Sequence, residues 1–125
     1  MSKQPTQVQI DALASHPGEG PVVMVNVLRF DKDEGSGEYV KYAEKVAGIL
    51  ETIGAEQIYM GSYDSTVIGD FEESFDAIVL VQYPSRKAFF EMVASEEYQA
   101  IHPYRDRGLE SQWLFASTRL AALSG

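Results

Sequence analysis

Apolar positions along the chain follow two different periods. Val22 to Phe30, VVMVNVLRF, is dense in β-branched residues and is bounded by Pro21 and the polar stretch Asp31 to Gly37, which suits a buried strand. Beyond it, Tyr39, Tyr42, Ala43, Val46, Leu50 and Ile53 recur every three or four residues, the interval that lines one face of a helix. Ser36 is available to cap its start and Gly54 to end it in a left-handed turn. Gln57 to Met60 and Ser65 to Gly69 read as one interrupted or bulged strand, broken by Gly61 and the turn formers around Asp64. Asp76 to Tyr83, DAIVLVQY, is another buried strand, after which Pro84 and Ser85 start a second helix through Phe89, Met92 and Val93. Ser95 caps a further short turn, SEEYQAI, that stops at Pro103, and Glu110 to Ser117 closes the pattern as a last strand.

The order β-α-β-β-α-β predicts a ferredoxin-like α+β fold, with a four-stranded antiparallel sheet and both helices on one face. The Pro and Gly punctuation from His16 to Pro21 sets off residues 1–20, an N-terminal segment with a short helix over Gln7 to Ser15, from a body spanning 21–125. One sheet face should then be open. Yet the two strands expected at the centre are apolar on both parities, whereas a half-solvated antiparallel strand alternates with polar residues. The N-terminal helix could cover only part of a second face, so pairing two sheets across a two-fold axis is the expected solution, which makes the protein a homodimer.

Composition narrows the classes. The chain has 125 residues with 19 acidic against 10 basic side chains, a formal charge of −9. That balance argues against nucleic acid, whose binding draws on clustered Lys and Arg. With no Cys, there is no disulfide framework or thiolate nucleophile, and His16 and His102 are too few and too separated for zinc. No metal site and no cofactor are expected, because the acidic stretches Asp31 to Glu34 and Asp70 to Glu73 read as solvated turns and no G-x-G-x-x-G fingerprint is present. The first residues lack the apolar core of a signal peptide and no run is long enough to span a bilayer, so a cytoplasmic protein without a membrane partner is expected.

Several polar residues stand out against this background. Asn26 interrupts an apolar strand, and a buried amide left unpaired costs about 1 to 3 kcal/mol, so it either orients a ligand in a pocket or is satisfied by a neighbouring loop. Arg105 could clamp a carboxylate bidentately or pair with one of the many acidic side chains; His102 could move a proton near neutral pH or simply end the helix. Tyr42 on the first helix, Tyr59 on the second strand and Tyr83 at a strand end could line a pocket, although tyrosines at helical spacing usually pack the core.

The strand MVNVLRF, the helix YVKYAEKVAGILETIGAE and the run QYPSRKAFFEMVASEEYQAIHPYRDRGLESQWLF resemble a family of small bacterial proteins catalogued as a domain of unknown function, within the dimeric α+β barrel superfamily. The resemblance spans about Pro21 to Ser117 and is most specific at Tyr42, Gly54, Tyr83 to Ser85, Ser95 to Tyr98 and Arg105. It implies the fold and dimer reached above and no activity. Some oxygenases of the superfamily place an Asn on the first strand with a Trp and a helix His. Here Trp113 lies on the last strand and neither expected helix carries a His, so that triad is not reproduced.

Three classes remain: a cofactor-independent enzyme acting on a hydrophobic or aromatic acid, a ligand-binding or sensing module using the same pocket, and a structural or accessory dimer with a filled barrel. In the first two, Asn26, Tyr42, Tyr83, His102 and Arg105 form the ligand site between sheet and helices. No catalytic residue is assigned.

Overall fold

The computed structural model of the chain describes residues 4–70 and 74–120. In chain order these form α1 (Gln7–Ser15), β1 (Val22–Phe30), α2 (Gly35–Ile53), β2 (Glu56–Ser62), β3 (Ala77–Tyr83), α3 (Arg86–Ala94), α4 (Glu96–Gly108) and β4 (Leu109–Ser117). The strands make one antiparallel sheet in the order β2-β3-β1-β4, the ferredoxin-like arrangement expected from the element order. None of the described helices is long and apolar enough to cross a membrane.

Strand alternation decides which side chains meet the helices. On β1, Val22, Met24, Asn26 and Leu28 are buried, and their β3 counterparts Val79, Val81 and Tyr83 are buried with them. Tyr39, Tyr42 and Val46 of α2, Met92 of α3 and Tyr98 of α4 complete the core on that side. α1 extends this helix layer by packing on α3, with Leu13 reaching the core.

The opposite sheet face is left uncovered by the described residues. Val25 and Val27 of β1 are half-buried there, between Leu80 and Ile78 of β3 on one side and Phe115 and Trp113 of β4 on the other. Trp113 and Phe115 stack at 6.0 Å with their rings 15° apart and remain 40% and 50% exposed. α1 lies on the helix side and leaves this face open.

Four local expectations are corrected. Ser65 to Gly69 is not strand: β2 ends at Ser62 after a register shift between Gln57 and Tyr59, and Val67 and Ile68 stand almost fully exposed. Ser36 does not cap α2, which starts at Gly35 after Glu34 and has no side-chain cap. The turn after Ser95 is a 13-residue helix that runs through Pro103 to Gly108. Consequently His102 does lie on a helix.

Proline inside a helix removes one backbone hydrogen bond and costs about 3 kcal/mol when nothing offsets it. The offset is burial: the residues of α4 that pack inward, Tyr98, Arg105 and Gly108, flank Pro103 on both sides. Ser95 separates α3 from α4 and serves both, donating from Oγ to the Met92 carbonyl at 2.7 Å and accepting from the Tyr98 N–H at 3.2 Å.

The start of α2 and the end of α4 touch through backbone. A Cβ on Gly108 would sit 2.9 Å from both the Gly35 carbonyl oxygen and the Tyr39 nitrogen, a space that no side chain fits. The Gly108 carbonyl also accepts from the Asp31 N–H at 2.9 Å, which fixes the turn between β1 and α2. At the other end of α2, Gly54 adopts φ +79°, the left-handed cap that its sequence position suggested. Gly54→Ala should therefore cost about 1 kcal/mol through backbone strain alone, and Gly108→Ala about 2 kcal/mol or more through overpacking against main chain. Urea denaturation of both variants checks the order; equal, negligible losses would contradict the close approach.

Candidate functional site

Because Asn26 falls on the buried parity of β1, its amide points into the helix layer and must find partners there. Nδ2 donates to the carbonyls of Val79 at 3.1 Å and Met24 at 3.4 Å, and Oδ1 accepts from Arg105 Nη2 at 3.0 Å. Both halves of the amide are thus used, one by strands and the other by α4.

Arg105 and Arg107 both occupy the last turn of α4, where a cation is favoured by the helix dipole, but their surroundings differ. Arg107 reaches Glu38 at 3.3 Å near the surface and lies over the Tyr104 ring. Arg105 is only 9% exposed, and none of the acidic side chains among the described residues pairs with it. Besides Asn26, its guanidinium has the Tyr39 hydroxyl as a hydrogen-bond partner and the Tyr42 ring, whose centroid lies 5.8 Å away. The ion pair with an acidic neighbour that the composition allowed is absent at this residue among the described residues. Desolvating a cation costs several kcal/mol, which an amide oxygen and an aromatic face offset only in part.

Tyrosines surround this charge. The Tyr42 and Tyr98 hydroxyls share a hydrogen bond of 3.0 Å, and Tyr39 packs against Tyr42 with ring centroids 5.4 Å apart. Burial pushes the phenols of Tyr39 and Tyr42 up, Tyr42 the more strongly, and Tyr98 adds to the effect on both, while the Arg105 charge pulls both the other way. Tyr83, packed edge-on to Phe89 at 5.1 Å, is raised by burial as well and feels the charges of Tyr98 and Arg105. At neutral pH all three therefore stay protonated and offer O–H groups rather than phenolate charge.

Of the residues singled out in the sequence, Asn26, Tyr42 and Arg105 come together, and Tyr83 lies within electrostatic range. His102 stands at the rim, half-buried, with its ring 5.8 Å from Tyr98. Tyr59 is 52% exposed on the edge strand β2, away from this cluster. Tyr98 is a member that the pocket candidates omitted. It lies seven residues before Arg105, two helical turns along one face, a relation that disappears if the helix is stopped at Pro103. Trp113 and Asn26 point to opposite faces of the sheet, so the oxygenase-like triad is not assembled.

Two cavities lie elsewhere. One of about 490 Å³ opens beside the end of β1, among Arg29, Asp31, Asp33, Asp76 and Glu110. The other, of about 320 Å³, sits between α1 and the start of α3. No group of three metal-ligating side chains occurs among the described residues.

Fold and core define a ferredoxin-like α+β protein whose helix layer closes over a buried arginine. The chain belongs to the DUF1330 family, a domain of unknown function, whose model matches residues 24–118. Among solved structures it is similar to a protein of unknown function from Rhodopseudomonas palustris, with 24% identity over 94% of this chain and 95% of that one and a TM-score of 0.84. It also resembles a dimeric protein of unknown function and ferredoxin-like fold from Bacteroides fragilis (12% identity, 79% and 96% of the chains, TM-score 0.56). A third likeness is to a hydroxynitrile lyase from Passiflora edulis (9% identity, 83% and 97%, TM-score 0.65). These likenesses show the fold. No curated protein matches the sequence.

The tyrosine cluster makes stability sensitive to alkali. In the unfolded chain the phenols ionise near the usual pH of about 10, whereas in the folded chain Tyr39, Tyr42 and Tyr83 resist ionisation. The unfolded state then binds fewer protons than the folded state, so stability is intact below about pH 10 and falls as pH rises beyond it. A phenolate absorbance titration should show three of the seven tyrosines ionising only as circular dichroism reports unfolding. Seven tyrosines titrating together near pH 10 in a folded protein would contradict the cluster.

Proposed function

We propose that the protein is a homodimeric binder of small organic anions, with one site per protomer at Arg105 between sheet and helices. The observation that carries this reading is a buried guanidinium that has no carboxylate partner among the described residues and is surrounded by protonated tyrosines. The Asn26 and Tyr39 bonds occupy two of the five N–H donors of Arg105, and a ligand carboxylate would supply the missing negative charge through the others. Tyr39 and Tyr42 offer flat walls, which favour an aromatic acid. The cluster is tightly packed, so admission of a ligand requires α4 to shift from α2. Pro103, which removes a backbone hydrogen bond from α4, makes that shift cheaper.

Binding is favoured over turnover because His102, the imidazole nearest the cluster, contacts it only through the Tyr98 ring. The purely structural reading differs in one measurable respect. Arg105→Gln removes the charge while keeping a hydrogen-bond donor toward Asn26. Under the binding reading, benzoate and 4-hydroxybenzoate raise the melting temperature of the wild type, and Arg105→Gln loses that rise with its own stability nearly intact. If no aromatic acid stabilises the wild type, or the variant responds equally, Arg105 serves the fold alone.

The dimer rests on the open face, where valines, Leu80, Trp113 and Phe115 lie exposed or half-exposed on three strands. Burial of apolar surface stabilises by about 25 cal/mol per Å², and facing a second copy of the same sheet satisfies the whole patch by symmetry. The dimeric Bacteroides fragilis neighbour of the same fold supports this assembly. Sedimentation should give twice the 13.9 kDa chain mass at micromolar concentration. Trp113, the sole tryptophan, should emit at shorter wavelength in the dimer than after dissociation by Phe115→Glu. A 13.9 kDa species with an unshifted emission would overturn the pairing.

A further inference from the structure

Arg105 is not the only buried arginine. Arg86, the first residue of α3, is 8% exposed and likewise pairs with no acidic side chain among the described residues. Nη1 donates to the Gly18 carbonyl at 3.3 Å and Nη2 to Thr118 Oγ1 at 3.1 Å, while Nε is buried and has no hydrogen-bond partner. The side chain lines the 320 Å³ cavity beneath α1.

The other polar groups around that cavity are donors too. His16 Nδ1 accepts from the Gly18 N–H at 3.1 Å, which leaves the imidazole proton of the neutral ring on Nε2. Gln9 spends its oxygen on the Thr6 N–H at 2.8 Å as part of the cap of α1, so its amide NH₂ is the end left to donate. Thr118 accepts from Arg86 and keeps its own O–H. Among the described residues no carboxylate lines the cavity, although the chain carries 19 acidic side chains. Ala12, Leu13 and Ala116 form the rest of the wall, small and aliphatic.

We propose that this cavity is a second ligand site, independent of Arg105, which takes a small aliphatic carboxylate. One fixed positive charge calls for a monoanion, the planar guanidinium fork matches a carboxylate, and the aliphatic wall receives a short hydrocarbon tail. None of the residues of α1 is buried, so the helix is held lightly. A ligand bridging Gln9 and His16 to Arg86 ties it to the body of the protein.

The test is a site-resolved amide NMR titration of the full chain with butyrate, with butanol as the uncharged comparison. The proposal expects saturable shifts at Gln9, Ala12 and Thr118 with butyrate and none with butanol. Arg86→Gln should weaken that binding about tenfold or more, the effect of losing a charge-assisted pair. Since Arg86 also holds Gly18 and Thr118, Ala12→Leu provides a second probe: it fills the cavity without touching those bonds and should abolish the same shifts. Arg105→Gln should leave them unchanged, so failure here and failure of the Arg105 site are separable. Absence of saturable shifts at these residues, equal binding by Ala12→Leu, or loss with Arg105→Gln but not with Arg86→Gln would each overturn the proposal.

Discussion

The hydrogen bond from Arg105 to Asn26 joins the last turn of α4 to the middle of the central strand, and much of the local structure is arranged around it. A guanidinium placed at that depth is tolerable only if α4 holds its position closely, since a shift of an ångström would leave both the cation and the amide oxygen unsatisfied. The glycine contact between Gly108 and Gly35 sets the distance from α4 to α2. The Asp31 to Gly108 backbone bond sets the height of α4 on the sheet. Ser95 starts α4 in the right phase so that Tyr98 and Arg105, seven residues apart, both point inward. Pro103 is tolerated in a helix so constrained because the packing on either side offsets its missing bond.

The parts of the fold visible in the sequence are those written as long periodic runs. β1, α2 and β3 carry their assignments in side-chain spacing alone, and Gly54 marks the end of α2 because a left-handed residue is needed there. Less visible was anything decided by tertiary packing. Pro103 is a strong local stop signal, and only contacts with α2 and β1 explain why the helix continues past it. Ser65 to Gly69 has strand-like composition yet lies beyond the last residue paired with β3, so its β-propensity has no ladder to join. The site was half legible for the same reason. Asn26 and Arg105 were conspicuous as polar residues in the wrong places, but Tyr98 was hidden behind the helix that Pro103 concealed.

The two faces of the sheet illustrate how one strand pattern serves two needs. Even positions of β1 close over the helices, and Val23, Val25 and Val27 at odd positions have no cover among the described residues. An apolar face on both sides of a strand is an address for another layer, and the described residues do not supply one, since the N-terminal helix lies on the already covered side. Edge strands differ in this respect: β4 carries its aromatic pair outward, and β2 is short, exposed and bulged, as suits an edge that must not recruit further strands.

Two arginines buried without carboxylate partners among the described residues, in a chain of net charge −9, present an apparent paradox for any anion binding there, because every surface acid would repel it. Distance resolves it. Surface charges are screened within about 8 Å at physiological salt, whereas a guanidinium inside the protein acts on its immediate neighbours through a much lower effective dielectric. The acidic surface thus sets the long-range field, and the short-range field at each arginine is set by which donors are left unmatched. At Arg105 these are the remaining N–H groups beside protonated tyrosines; at Arg86 they are Nε and the donors around the cavity. Among the described residues, acidic side chains pair with Arg29, Lys41, Lys87 and Arg107 near the surface, and none of them neutralises either buried guanidinium.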